Sequence, residues 1–137
     1  MKRTLLLLSL AAGLAALAGC KSHEGAYLPV NTTTHNLEDS ATFVLLDRGA
    51  QRSVTHSGIA TTRLPDGRLQ VTANLRNREN RRIQVQVNCV FKDALGYVVE
   101  DVPFRSFFLD ENAQEGVTFV SSNDKAQRFT IRVREAR

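Results

Sequence analysis

The chain has no tryptophan, three histidines and two cysteines in 137 residues. Each scarcity removes a class of function. Without Trp there is no Cys…Trp…Cys core of an antibody-type domain. His23 and His35 fall in a polar N-terminal stretch, where isolated histidines are expected to be solvated. His56 is then the one histidine of the patterned region, flanked by Thr55 and Ser57. A hydrolytic triad needs a nucleophile, a positioned His and a carboxylate together, and nothing in the spacing supplies them. HExxH, CxxC and a Gly-rich phosphate loop are all missing. Asp110, Glu111 and Glu115 share a loop without the EF-hand pattern. No enzyme activity, metal or cofactor is expected. No apolar run reaches the roughly 20 residues that a spanning helix needs.

What is present begins at the N-terminus. Lys2 and Arg3 precede an uncharged, mostly apolar run from Leu5 to Leu17. A charged start, a short apolar centre and a small-residue exit mark a secretory signal peptide. The exit, Leu17-Ala18-Gly19-Cys20, resembles the bacterial lipobox cut by signal peptidase II. That resemblance implies removal of residues 1–19 and a diacylglycerol on Cys20, usually with an added N-acyl chain. One acyl chain binds a membrane only marginally, at about 0.8 kcal/mol per methylene, whereas two or three hold firmly. Lys21 lacks the Asp that signals inner-membrane retention by analogy with enterobacterial sorting. The expected location is therefore the outer membrane, with the domain facing the periplasm.

The mature chain of 118 residues is enough for one domain. Its formal charge falls from +4 to +2 once Lys2 and Arg3 are gone, so the basicity does not argue for a nucleic-acid partner. With Cys20 lipidated, Cys89 has no disulfide partner. It shares parity with Ile83, Val85, Val87 and Phe91 and is expected to be an inert core residue. Residues 20–41 read as lipidated Cys and flexible tether. Asn36 to Ser40 could start a short turn.

Residues 42–137 read as an all-β domain. Thr42 to Asp47 is a short apolar run. Arg52 to Arg63 places Val54, His56, Gly58, Ala60 and Thr62 on one parity, with a bulge suggested at Gly58. Leu64-Pro65-Asp66-Gly67 is a tight turn. Arg68–Arg76 and Arg82–Lys92 alternate cleanly on either side of a polar connection, Asn77 to Asn80, and read as a hairpin. Tyr97–Asp101, Phe104–Leu109, Gly116–Ser121 and Gln127–Glu135 complete seven or eight strands, with no helix expected. One wet face per sheet points to an antiparallel immunoglobulin-like β-sandwich, with a small barrel as the alternative.

Two surfaces are candidates for contact. Arg76, Arg78, Arg81 and Arg82 concentrate positive charge at the expected hairpin tip. They suit an anionic partner such as a phosphate-bearing lipid, cell-wall carboxylates or an acidic protein, or serve only solubility. Arg128, Arg132 and Arg134 form a second outward stripe, which could instead protect an edge strand. Gln70, Thr72, Asn74, Gln84, Gln86 and Asn88 are expected on one amide-rich face. Such a face can read sugars, although no aromatic platform is expected on it.

The run Leu69-x-Val-x-Ala-x-Leu-x-Asn77, the strand ending Val90-Phe-Lys-Asp-Ala-Leu-Gly96, the aromatic segment after it and the terminal Phe-x-Ile-x-Val strand resemble the YcfL-type bacterial lipoproteins. Phe91-Lys92-Asp93 stands where relatives often carry Trp before the turn. The resemblance implies a β-sandwich lipoprotein without an assigned biochemical role, whose genes are reported near lipoproteins that activate peptidoglycan synthases. The functional expectation is a membrane-anchored, non-enzymatic interaction domain with an envelope-protein or cell-wall partner. The alternative is a peptidoglycan or glycan binding module.

Overall fold

A computed structural model describes residues 37–136. The signal segment, Cys20 and the tether up to residue 36 lie outside the described residues. The order is α1 (Leu37–Ser40), β1 (Phe43–Leu45), α2 (Arg48–Ser53), β2 (Val54–Arg63), β3 (Leu69–Asn77), β4 (Ile83–Lys92), β5 (Val98–Asp101), β6 (Arg105–Leu109), β7 (Gln114–Val120) and β8 (Arg128–Glu135). The strands form two sheets. One runs β1-β8-β4-β5, with β6 also paired to β4, and the other runs β2-β3-β7. All pairings are antiparallel except β1 with β8, which is parallel.

Alternation places the core between the sheets. Leu69, Val71, Ala73 and Leu75 of β3, with Val117 and Phe119 of β7, pack in one cluster with Ile83, Val85, Val87, Cys89 and Phe91 of β4 and Ile131 and Val133 of β8. β3, β4, β7 and β8 send every second side chain to this layer, as the period of two requires. The fold is the all-β sandwich that the alternation predicts.

The strand neighbours correct the hairpin expectation. β3 and β4 are consecutive and cleanly alternating, yet they belong to different sheets. Alternation reports which face a residue occupies, not which strand lies beside it. Two strands with equally apolar inner faces bury both by stacking face to face. Edge-to-edge pairing would leave each needing another cover. The connection between them is an arch held by Asn77, whose side chain is fully buried. Its Nδ2 donates to the carbonyls of Arg81 (2.7 Å), Asp110 (2.8 Å) and Leu109 (3.3 Å), and its Oδ1 accepts from the Glu79 N–H. The Arg78 N–H donates to the Ser53 carbonyl beside it.

Two helical turns appear although no helix was expected, the first within the stretch Asn36 to Ser40 read as the start of a short turn. In α2, Asp47 caps the N-terminus by accepting from the Ala50 N–H at 2.8 Å, and Ala50 enters the core. An Asp at this position satisfies a donor that the helix start leaves free. In α1, the end of the presumed tether is docked on the sheet. The carbonyls of Glu38 and Ala41 accept from the Thr130 hydroxyl, and Lys92 Nζ also donates to the Glu38 carbonyl. This cover explains why Val90 and Lys92 are buried although they point away from the core.

The bulge in β2 lies between His56 and Gly58. It switches the parity. Val54 faces inward before it, and Ile59 packs toward the core after it, instead of Gly58 or Ala60. The turn before β3 uses Gly67 at φ 88°, a left-handed conformation open to glycine at little cost.

Candidate functional site: the outer face of the five-stranded sheet

The arginines singled out from sequence do not form one patch. Arg76 is an exposed residue of β3, in the three-stranded sheet. Arg78 is exposed in the arch. Arg81 pairs with Glu79 at 2.6 Å. Arg82 leads into β4 of the other sheet, pairs with Asp110 at 3.3 Å and lies over the Phe108 ring at 4.7 Å. The arch between the sheets separates Arg76 from Arg82, and Glu79 and Asp110 neutralise part of the charge.

The amide-rich face is likewise divided. Gln70, Thr72 and Asn74 lie outward on β3, whereas Gln84, Gln86 and Asn88 lie outward on β4. The wet residues therefore belong to two opposite surfaces. Asn88 is buried and committed to structure. Its Nδ2 donates to Asp101 Oδ1 and the Val102 carbonyl, and its Oδ1 accepts from Arg132 Nε. Arg132 also reaches both Asp101 oxygens, at 2.8 and 3.0 Å, and Glu38 at 3.5 Å. Of the stripe expected on β8, Arg132 is thus a structural residue and Arg134 remains exposed.

Register brings aromatic rings to the β4 face, contrary to the expectation that it has no platform. In the β4–β6 pairing, Gln84 faces Phe108 and Gln86 faces Ser106. Phe108 is half exposed. The Arg134 guanidinium stacks over Phe104 at 3.8 Å, with Arg132 at 5.4 Å from the same ring. Arg134 Nε also donates to Gln86 Oε1 at 2.8 Å. Cation–π contacts of this kind fix a guanidinium against a ring. An open groove of about 460 Å³ lies along Leu46, Asp47, Gln86, Arg134 and Glu135. A smaller hollow of about 260 Å³ shares Glu135 with it and is lined by Arg81, Arg82 and Gln84.

The residues matched by a known family are 41–135, and its description is "Protein of unknown function (DUF1425)". The chain belongs to the DUF1425 family. A crystal structure of a DUF1425 family member from Shewanella sp. pv-4 is 29% identical, with a TM-score of 0.56, covering 61% of this chain and 79% of that one. Campylobacter jejuni cj0090 is 14% identical at the same TM-score, covering 69% of this chain and 98% of that one, and shares the fold. No curated protein matches.

In this DUF1425 chain the other sequence candidates are structural. Cys89 is fully buried, as its parity predicts, and burial together with the nearby Glu100 charge pushes its thiol up to about 12. Its thiolate is therefore suppressed at neutral pH. The His56 ring packs on Phe43, with centroids 4.6 Å apart. Among the described residues no cluster of three metal-ligating side chains occurs, and no helix is long and apolar enough to cross a membrane.

Sequence reasoning missed Phe104 and Phe108 on this face, because Phe108 is placed by the β4–β6 register and Phe104, just before β6, by its contacts with Arg132 and Arg134. It also missed Asn77, read as part of a polar connection. The one available signal was its place two residues beyond the inward-facing Leu75.

Proposed function

We propose that this chain is a YcfL-type, lipid-anchored lipoprotein of the bacterial envelope, held at the outer membrane through Cys20. Its domain acts by binding, not catalysis, and presents the outer face of the five-stranded sheet to an envelope-protein partner carrying acidic groups. The lipobox and Lys21 support the anchor. The observation that carries the binding reading is the set of two arginine–aromatic pairs, Arg82 with Phe108 and Arg134 with Phe104, beside Gln84 and Gln86. Arginine and aromatic residues are enriched where protein interfaces concentrate their energy.

Photocrosslinkers placed at Gln84 and at Thr72 in intact cells test the face. Adducts with an envelope protein are expected from position 84, absent from position 72 and lost with Arg134→Glu. Equal capture from both positions, or none, rejects the reading. Labelling with a fatty acid tests the anchor, and labelling that persists in Cys20→Ser would refute it.

A glycan reading is the second, because Phe108 stands beside Gln84 and supplies an aromatic surface next to an amide. Retention on purified sacculi at moderate salt, lost with Phe108→Ala, would favour it over the protein partner.

A further inference from the structure

A different part of the molecule carries an independent inference. A cleft of about 400 Å³ opens between the segment before β1 and the end of β2. This is within the size range of small-molecule sites. Ala41, Thr42, Thr61 and Thr62 form its sides, Leu69 and Phe129 give it apolar surface, and Arg63, Lys92 and Arg128 bring three cations to it. Asp39 is the one carboxylate in the lining.

None of the three cations takes part in an ion pair among the described residues. Lys92 is 4% exposed, and its ammonium is held by the Glu38 and Asp39 carbonyls and the Thr130 hydroxyl. Its three donors are occupied, so it contributes positive field and not a contact. Arg128 is its direct cross-strand partner. Like charges directly opposite on neighbouring strands are destabilising, and an anion beside them would relieve that repulsion. Arg63 is fixed in place by the Gly67 and Ala126 carbonyls and Gln127 Oε1. The Arg128 guanidinium has no hydrogen bond or ion pair among the described residues.

We infer that this cleft binds a small anionic amphiphile. A carboxylate or phosphate head meets the Arg128 and Arg63 guanidiniums in the field of Lys92, and an apolar chain lies against Leu69 and Phe129. Thr42, Thr61 and Thr62 supply hydroxyls to the head.

The test uses residues 20–137, which contain every described element, with Cys20→Ser so that no acyl chain competes. Amide chemical shifts are followed by NMR during titration with octanoate, octyl phosphate and the uncharged octyl glucoside. Saturable shifts at Thr42, Thr62 and Leu69 are expected with at least one anion, with octyl glucoside at least tenfold weaker. Arg128→Gln, whose side chain is exposed, should keep the native spectrum and weaken the anion at least fivefold. The stronger of the two anions assigns the head as carboxylate or phosphate. Equal affinity for octyl glucoside, shifts that do not saturate, or unchanged affinity in Arg128→Gln would each overturn the inference.

Discussion

The two sheets present similar inner faces and unlike outer ones. Inside, both offer aliphatic and aromatic side chains to a single core. Outside, the three-stranded sheet sets small residues, Gly58, Ala60, Thr72, Gly116 and Thr118, around Gln70 and Asn74 and carries no ring among the described residues. A Cβ added at Gly58 would meet nothing within 4 Å. The outer face of the five-stranded sheet is built from long side chains instead, with Arg82, Gln84, Gln86, Phe104, Phe108 and Arg134 in lateral contact. Of the outer face, Asn88, Lys92, Thr130 and Arg132 are committed to structure, whereas the arginine–aromatic pairs lie outside that network. The proposed binding role rests on this contrast, a surface that stacks guanidiniums on rings where threonine would serve.

The arch that keeps these faces apart should be the most sensitive point. Asn77→Ala removes donors from the Arg81, Leu109 and Asp110 carbonyls and the acceptor of Glu79 N–H. Each buried group left unpaired costs about 1–3 kcal/mol, so a loss of about 4 kcal/mol is expected in urea denaturation. A loss below about 1 kcal/mol would show that the arch does not depend on this amide. Cys89→Ala tests the shared inner layer and should cost about 2 kcal/mol, by analogy with other losses of buried volume. Native Cys89 should resist thiol reagents until the protein unfolds. Its raised thiol makes folding less favourable as pH climbs from the ordinary value of 9.0 toward about 12, because the unfolded chain ionises first.

These residues also show what sequence could carry. Alternation placed Leu75, Cys89 and Ile131 inside because a period of two is a local property. The Gly58 bulge was legible as a strand glycine. Pairing was not legible: β3 and β4 alternate equally well as a hairpin or as stacked strands, and only the whole sheet decides. The candidate site failed for the same reason. Arg76 and Arg82 are six positions apart in sequence but are assigned to opposite sheets by the arch. Phe108 meets Gln84 through a register that neither segment specifies alone. The docking of Glu38 on Thr130 joins residues 92 apart, beyond the reach of any local pattern.

The outer faces can be compared directly by matched charge substitutions. Arg134→Glu and Thr72→Glu alter exposed or half-exposed positions, so each should shift stability by less than about 1 kcal/mol. The first gives up a cation–π contact of about 0.5–1 kcal/mol. Only Arg134→Glu should reduce crosslinking from position 84. Loss of capture in both variants would mean that overall charge, and not the arginine–aromatic face, governs the contact.

The smallest effect sharpens the description of the arch itself. Glu79 accepts from the Ser53 hydroxyl and pairs with Arg81 at 2.6 Å. The hydrogen bond from Ser53, then that from Arg81, holds its carboxyl below the ordinary value of 4.5. A carboxylate with a depressed pKa favours the folded state at pH above its unfolded value. That contribution shrinks as pH falls below 4.5, where the unfolded chain takes up the proton first, and it is gone below the folded pKa. Glu79→Gln should therefore be slightly less stable at pH 7 and should lose less stability than wild type between pH 5 and pH 3, a small difference because solvent screens this side chain. Parallel acid limbs for the two proteins would show that the Glu79 carboxylate is not held in the arch, and that the Asn77 amide and the backbone bond from Arg78 to Ser53 keep the two outer faces apart without it.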